Sequence, residues 1–460
     1  MSNKTLTRGT ILSYGLMSLP VGVIGVPMGI YLAPFYAGEL GLSLAAIGTM
    51  LILSRLTDFI TDPLIGLLSD RWRPAIGRRK VWVPIGTTIM MTGVYLLFQP
   101  PEGVGIVYFL VAVSTTYLGY TTLQLPYHAW GAELSPQYHV RTKITATSKF
   151  FDTSGLVIST VIPAYILSQP GATSGDIMTG LSIFFLIALP LCASIAFINV
   201  HEPEYQASPK QAVSVKAAAK LLARNKPFAL VTISLFIATV AEVFRQTTTV
   251  FYATQVIGVE NVGAVYVYYF VFALMMIPVW SRIAEKMEKH RALGLALSVV
   301  LITNICMYFL KEGQTTAFIA LFIIKGSCYG ALALLPGAMI ADTADIDTAL
   351  TGERQQGLFF AINAMVQKLG YALGQGLPLL LLGWVGFDAT GLNNGPDEYY
   401  WLSFLYSIAP AVVAGFAIAA LVPYTLTAAR HKELQNYIAA KESGEDAAMP
   451  VFLQKLAPEQ

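Results

Sequence analysis

The chain has 460 residues, 55% of them hydrophobic and 12% charged, with a net charge of +2. Soluble domains are about a quarter charged, so the composition excludes an ordinary soluble protein, and the near-neutral balance excludes a nucleic-acid partner. Three cysteines, Cys192, Cys306 and Cys328, sit in apolar runs without metal-ligand spacing and read as small buried hydrophobes.

The apolar residues come in blocks of about twenty or more, the length that crosses a bilayer as a helix. They predict twelve spans, near 11–36, 44–69, 81–100, 104–131, 144–168, 176–199, 227–255, 262–281, 291–310, 315–341, 356–385 and 399–424. Residues Met1 to Thr10 are polar and the first block is too long for a cleaved leader, so the first span itself is expected to direct insertion. An even count puts both termini on one side. The loops on the opposite side hold Glu39, Glu102, Asp176, Glu260, Asp388, Asp397 and Glu398 but one lysine, Lys311. The loops on the side of the termini hold Arg71, Arg73, Arg78, Arg79, Lys80, Arg141, Lys143, Arg282, Lys286 and Arg291. Basic residues stay cytoplasmic, so both termini are placed in the cytoplasm.

This reads as an all-α membrane protein of two pseudo-symmetric six-helix bundles, residues 1–199 and 227–425. A cytoplasmic linker, 200–226, joins them, and 426–460 form a cytoplasmic tail with room for one surface helix. From Ser208-Pro209 onward the linker carries Ala212, Val215, Ala218 and Leu222 among lysines. That pattern fits either a helix on the membrane face or a solvated connector. The halves echo each other: Asp70 and Gly77-Arg78-Arg79-Lys80 follow the second span, and Glu285 and Lys289-His290-Arg291 follow the eighth. Paired six-span halves belong to transporters, with the solute site between them near the membrane midplane.

Charges inside spans face a cavity or a partner, because a lone one costs at least a few kcal/mol, ~3 or more. In the second span Arg55, Asp58 and Asp62 stand at i, i+3 and i+7, on one face. Pro63 leaves the carbonyl of Phe59 free. Two carboxylates and a carbonyl suit Na⁺, and close carboxylates also bind H⁺; a structural network with Arg55 is the competing reading. The fourth span carries a polar stripe, Tyr117, Thr121, Gln124 and His128, with Tyr120 beside it. It lines a solute cavity or glues helices together. Lys149 and Asp152 in the fifth span either pair or leave Lys149 to donate to a solute. Glu242 and Arg245 read as a structural pair, and Lys325 as a packing or snorkelling residue. Lys368, with Tyr371 and Gln375 on its face, has no acid in its own span, so Asp58 and Asp62 are its expected partners.

The stretch Gly66-Leu-Leu-Ser-Asp70-Arg71 followed by Gly77-Arg78-Arg79 resembles the loop motif of the major facilitator superfamily. That resemblance implies a gating role for Asp70, Arg71 and Arg78, and a major facilitator fold. The segment Arg55-Leu-Thr-Asp58-Phe-Ile-Thr-Asp62-Pro63 is similar to that of the glycoside–pentoside–hexuronide:cation symporters, the family of the melibiose carrier. Ser13-Tyr14-Gly15, the loop Ala341 to Asp347, Thr351 to Arg354, Gly357 to Phe360, and Lys368 match that family too. The resemblance implies that Asp58 and Asp62 bind the coupling cation, with Thr121 as a further ligand. It implies that Lys368 joins the cation and solute sites and that Arg55 acts in coupling. Thr61 replaces an Asn ligand, which leaves Na⁺ and H⁺ both open.

The solute side departs from the family. Gly22 and Gln124 stand where the melibiose carrier has aspartates, His128 replaces a Trp and Lys149 an Arg. The expected solute contacts are Tyr120, Gln124, His128, Lys149 and Lys368, and the shift toward positive charge points to an acidic sugar-like solute. The lysophospholipid symporters of animals, which share the D-x-x-T-D-P segment and have anionic substrates, are the alternative. Gly-x-Ser-x-Gly, His-Glu-x-x-His and phosphate-loop motifs are absent, so an enzyme is not expected. A receptor or scaffold would not require buried charges in both halves. The expectation is therefore a secondary carrier in a bacterial inner membrane. It works as a monomer among membrane lipids, with no cofactor beyond the coupling ion and with a small solute and a cation as partners.

Overall fold

The computed structural model describes residues 7–135, 137–202, 221–222, 224–352, 355–443 and 448–454. The linker positions Ser208 to Ala218 and the motif residues Glu353 and Arg354 lie outside them. Everything regular among the described residues is helical. Among the described residues nine helices are long and apolar enough to cross a membrane: Arg8–Tyr31, Leu44–Arg71, Ile106–Glu133, Ser174–Asn199, Lys226–Ile257, Val262–Met287, Lys289–Tyr308, Thr315–Thr351 and Pro396–Leu421. The shorter apolar helix Trp82–Phe98 and the more polar Tyr138–Ile166 and Gln356–Trp384 fill the three remaining places. Every expected span thus has a helix, here called spans 1 to 12 in chain order.

Proline writes local departures into these helices. Pro27 and Pro34 each open a π-helical stretch, Pro27–Tyr31 and Pro34–Glu39, because a missing N–H lets the turn widen. Pro410 follows another, Phe404–Ile408 in span 12. Span 2 is interrupted at Thr57, between Leu44–Leu56 and Asp58–Arg71. Asp58 therefore falls in the first turn of a helical segment, where the exposed N–H end favours a carboxylate. Span 10 runs on to Thr351, so Ala341 to Asp347 is helix rather than the expected loop. Gly352, in the left-handed region at φ 78°, ends it.

By contacts the chain forms two compact units. The first comprises Met1–Pro209, Gln246–Val267 and Gln375–Leu402; the second comprises Lys210–Arg245, Tyr268–Gly374 and Ser403–Gln460. Inside the first, spans 3 and 4 touch backbone to backbone. A Cβ on Gly119 would lie 2.4 Å from the Met90 backbone, and one on Gly86 2.7 Å from that of Leu123. Small residues allow this approach where lipid supplies no hydrophobic drive between helices.

The second unit has its own apolar core, with Phe228, Val231, Ala292, Leu293, Ala331, Met339 and Phe359 all buried. The tail joins that core. Its helix Ala428–Glu442 is capped by the Thr427 side chain, and Leu434 and Leu453 are fully buried. The tail helix is thus docked, not merely superficial. Cys192 and Cys328 are buried as expected, but Cys306 is exposed on span 9. A bilayer-facing position rewards an apolar residue as a core does, so composition could not separate the two.

Candidate functional site

Span 2 buries Leu51, Ser54, Asp58, Ile65 and Ser69, and this stripe carries the carboxylates inward. Phe59 and Ile60 on the other side are exposed, at 39% and 73%. Asp58 is only 3% exposed, and Arg55 Nη1 lies 3.6 Å from its Oδ2. The Arg55 guanidinium also covers the Tyr117 ring, 3.7 Å from the centroid. One turn on, Asp62 Oδ1 accepts a 3.0 Å hydrogen bond from the Thr121 hydroxyl of span 4. Thr61 shares the Asp58 face at i+3, and its buried hydroxyl has no hydrogen-bond partner among the described residues. A buried hydroxyl oxygen normally has a partner; this one has a lone pair to offer on the helix face that carries Asp58. Hard oxygen donors of this kind suit Na⁺ or a proton. Among the described residues no group of three or more His, Cys, Asp or Glu side chains could hold a metal ion, as a transition-metal site would require.

On the expected solute side, Gln124 is buried and His128 exposed on span 4. Lys149 of span 5 pairs with Asp152 at 2.7 Å, yet its side chain remains 73% exposed. Two neighbours hold these positions. Tyr127, beside His128, donates from its hydroxyl to the Tyr14 carbonyl at 2.8 Å. The same hydroxyl is 3.0 Å from that of Ser18 and 3.1 Å from that of Ser148, beside Lys149. The Tyr14 hydroxyl in turn donates to the Tyr127 carbonyl at 2.9 Å, and the rings stack at 4.3 Å. This lock between spans 1, 4 and 5 has no signal in the sequence, because nothing local marks Tyr127 or Ser148 as partners. Gly22 also has a packing role: a Cβ there would lie 2.1 Å from the Asp152 carbonyl oxygen. Tyr120 lies half-buried on span 4. Lys368 is half-buried on span 11 and belongs to the second unit; its pairing with Asp58 or Asp62 is a proposal.

The loop after span 2 forms a network within the first unit. Arg79, 2% exposed, bonds to Asp70, to Glu133 at 3.0 Å and to the Ser69 hydroxyl at 2.7 Å. Arg78 pairs with Glu133 at 2.8 Å and with Asp70 at 3.8 Å. Burial works against the charge of Arg79, but Glu133 and Asp70 more than offset it and raise its pKa. Glu202, at the start of the linker, accepts from the backbone N–H groups of Arg79 and Lys80 at 2.9 and 3.1 Å. Arg71, expected in the same set, is exposed.

The second unit holds a charge cluster that the sequence only half reveals. Glu242 pairs with Arg245 at 2.5 Å and with Lys325 at 3.5 Å, and accepts from the Tyr269 hydroxyl at 3.2 Å. Lys325 also donates to Asn304 Oδ1 at 2.6 Å. At 1% exposure Lys325 does not snorkel; it is an interior ion-pair partner. Glu242→Gln would leave two buried cations without their carboxylate, a loss of about 3–5 kcal/mol. Lys325→Met removes the second cation from Glu242 and the donor to the Asn304 oxygen but keeps the Arg245–Glu242 pair, a loss of about 1–3 kcal/mol. Denaturant unfolding of the two variants in detergent is expected to rank them in that order.

The profile of the family described as MFS/sugar transport protein matches residues 13–428. The chain is 22% identical to an inner membrane symporter of Escherichia coli, over 95% of this chain and 96% of that one. It is 21% identical to the glucuronide carrier protein homolog of the same bacterium, over 94% and 95%. It is 20% identical to the sodium-dependent lysophosphatidylcholine symporter 1-A of Danio rerio, over 96% and 91%. Among solved structures, a bacterial homolog of the human lysosomal transporter Spinster superposes with a TM-score of 0.65 at 12% identity, covering 96% of this chain and 98% of that one. The fold is that of the major facilitator superfamily.

Proposed function

The chain belongs to the MFS/sugar transport family of membrane carriers, and from that premise we propose that it is a secondary symporter, coupling Na⁺ or H⁺ to a sugar-like, acidic solute by alternating access. The observation that carries this reading is the Asp62–Thr121 bond beside buried Asp58 and the unpartnered Thr61 hydroxyl. It gathers hard oxygen donors from two spans at a depth where charge is expensive. Asp58, Asp62, Thr61 and Thr121 form the cation site in this reading, and Lys368 links it to the solute. The oxygen set admits Na⁺, and the relative named sodium-dependent supports that ion; protonation of one carboxylate serves H⁺ coupling equally. Asp70, Arg78 and Arg79 brace the cytoplasmic end of the first bundle.

Solute identity rests on His128, Gln124 and Lys149. Asp152 neutralises Lys149 in part but leaves it accessible, so an incoming carboxylate can take over the ammonium. The relative named a glucuronide carrier homolog supports an acidic sugar; the one named a lysophosphatidylcholine symporter supports the second reading, a lysophospholipid. Lys149→Ala is expected to weaken glucuronide binding about 10- to 100-fold, the worth of one charge-assisted hydrogen bond. It should leave binding of a neutral glycoside unchanged. Equilibrium binding of the two sugars and a lysolipid to purified protein decides it. Equal losses for the charged and neutral sugars would remove the acidic-solute reading.

A further inference from the structure

We propose that Tyr117 and Gln375 are positioning residues that couple occupancy of the cation site to closure of the outer end of the bundle. The proposal rests on the reading of Asp58 and Asp62 as that site. The contacts form one chain within the first unit. Asp58 is 3.6 Å from Arg55, and Arg55 lies 3.7 Å over the Tyr117 ring. The Tyr117 hydroxyl donates to Gln375 Oε1 at 3.4 Å. Gln375 Nε2 donates to the Met28 carbonyl at 3.4 Å, inside the π-helical stretch Pro27–Tyr31. Tyr117 and Gln375 are 5% and 4% exposed, so water does not compete for these bonds.

The next residue, Gly376, is where span 11 meets span 2. A Cβ on Gly376 would lie 2.3 Å from Ile52 Cγ1 and 2.6 Å from the Gly48 carbonyl oxygen. One on Gly48 would lie 2.4 Å from the Gly376 carbonyl oxygen, and one on Gly383 2.6 Å from the Ala45 nitrogen. The outer halves of the two spans thus meet closely, Gly48 against the Gly376 backbone and Gly383 against that of Ala45, with the Ile52 side chain packed into the same contact. Such a seam is closed or open, with little between, which is the two-state element that coupling requires. Gln375 reads the cation site through Tyr117, and its neighbour forms the seam.

An ion at the carboxylates competes with Arg55 for Asp58. Arg55 responds over the ring it already covers, and the phenol passes the displacement to Gln375. Neither Tyr117 nor Gln375 touches the ion; each acts through another group.

The test uses the full chain in proteoliposomes, in a Cys306→Ser background with Ala45→Cys as reporter. A membrane-impermeant maleimide is added with and without Na⁺, and across a pH step. The parent should change its labelling rate when the cation is supplied. Tyr117→Phe, which keeps the ring under Arg55 but lacks the hydroxyl, and Gln375→Leu should abolish that change. Their cation affinity by calorimetry should stay within about threefold of the parent. Gln375→Glu, which keeps an acceptor for the phenol, should restore part of the response. The proposal is overturned if Tyr117→Phe and Gln375→Leu respond as the parent does. It is also overturned if they lose cation binding itself, which would make them supports of the site rather than a relay. Undiminished cation binding in Asp62→Asn is a separate outcome: it would remove the cation-site reading and this proposal with it.

Discussion

Asp62→Asn should abolish cation-driven accumulation of solute while leaving the protein folded. The amide is nearly isosteric and can still accept from Thr121, so the 3.0 Å bond to that hydroxyl survives. The negative charge does not survive. Truncating one partner of a buried charged pair costs about 2–5 kcal/mol, which is about 30-fold to several thousand-fold in cation affinity. Asp58→Asn should be at least as damaging, because Asp58 is more deeply buried and also faces Arg55. Its loss takes a carboxylate from the half-buried Arg55 guanidinium as well as removing a ligand. Uptake into proteoliposomes under imposed Na⁺ and pH gradients is the readout. Facilitated exchange at equal concentrations on both sides should persist in Asp62→Asn, which separates lost coupling from lost fold.

Gly22→Asp is expected to be the most damaging single change to the fold on the solute side. The ideal Cβ at Gly22 would sit 2.1 Å from the Asp152 carbonyl oxygen, and that at Gly155 2.0 Å from the Leu19 carbonyl oxygen. Spans 1 and 5 therefore interlock through two glycines, each against the other's backbone. Normal heavy-atom contact is about 3.5–4.0 Å for carbon, so any side chain forces the helices apart by more than 1 Å, on the order of the shortfall from contact. Overpacking of this kind costs about 1–3 kcal/mol and sometimes more, and an aspartate adds a carboxylate next to a carbonyl oxygen. Gly22→Ala should show much of the loss, which assigns it to packing rather than charge. Thermal unfolding of the purified variants measures both. The consequence for specificity is direct: an aspartate cannot be restored here without moving span 5. A Gly22→Asp protein with parental stability that carried a neutral galactoside would contradict this.

Local pattern carried much of this architecture. Blocks of twenty apolar residues correspond to the helices, and i, i+3, i+7 spacing brought Arg55, Asp58 and Asp62 to one face. The misreadings have particular causes. Ala341 to Asp347 looked like a loop because Asp342, Asp345 and Asp347 are polar. Yet no residue before Gly352 breaks the helix, and those acids find partners: Asp342 bonds to Lys289 at 2.6 Å, and Asp345 lies 3.0 Å from His431 of the tail. Lys325 reads as a packing or snorkelling residue in the sequence because its partner Glu242 is far away along the chain. Tyr127, Glu133 and Glu202 were overlooked for the same reason. Each completes a contact whose other member no local spacing identifies. Gly22 was read as a missing acid, when its lack of a side chain is what lets two backbones meet.

We propose that Asp58, Asp62, Thr61 and Thr121 hold the coupling cation. Isothermal titration of the purified chain with a glucuronide, run with and without Na⁺ and in two buffers of different ionisation enthalpy, reports Na⁺ linkage and proton uptake together. The parent is expected to show one of the two linkages, and Asp62→Asn to lose it. Linkage to Na⁺ or to protons that is the same in parent and Asp62→Asn would remove the site.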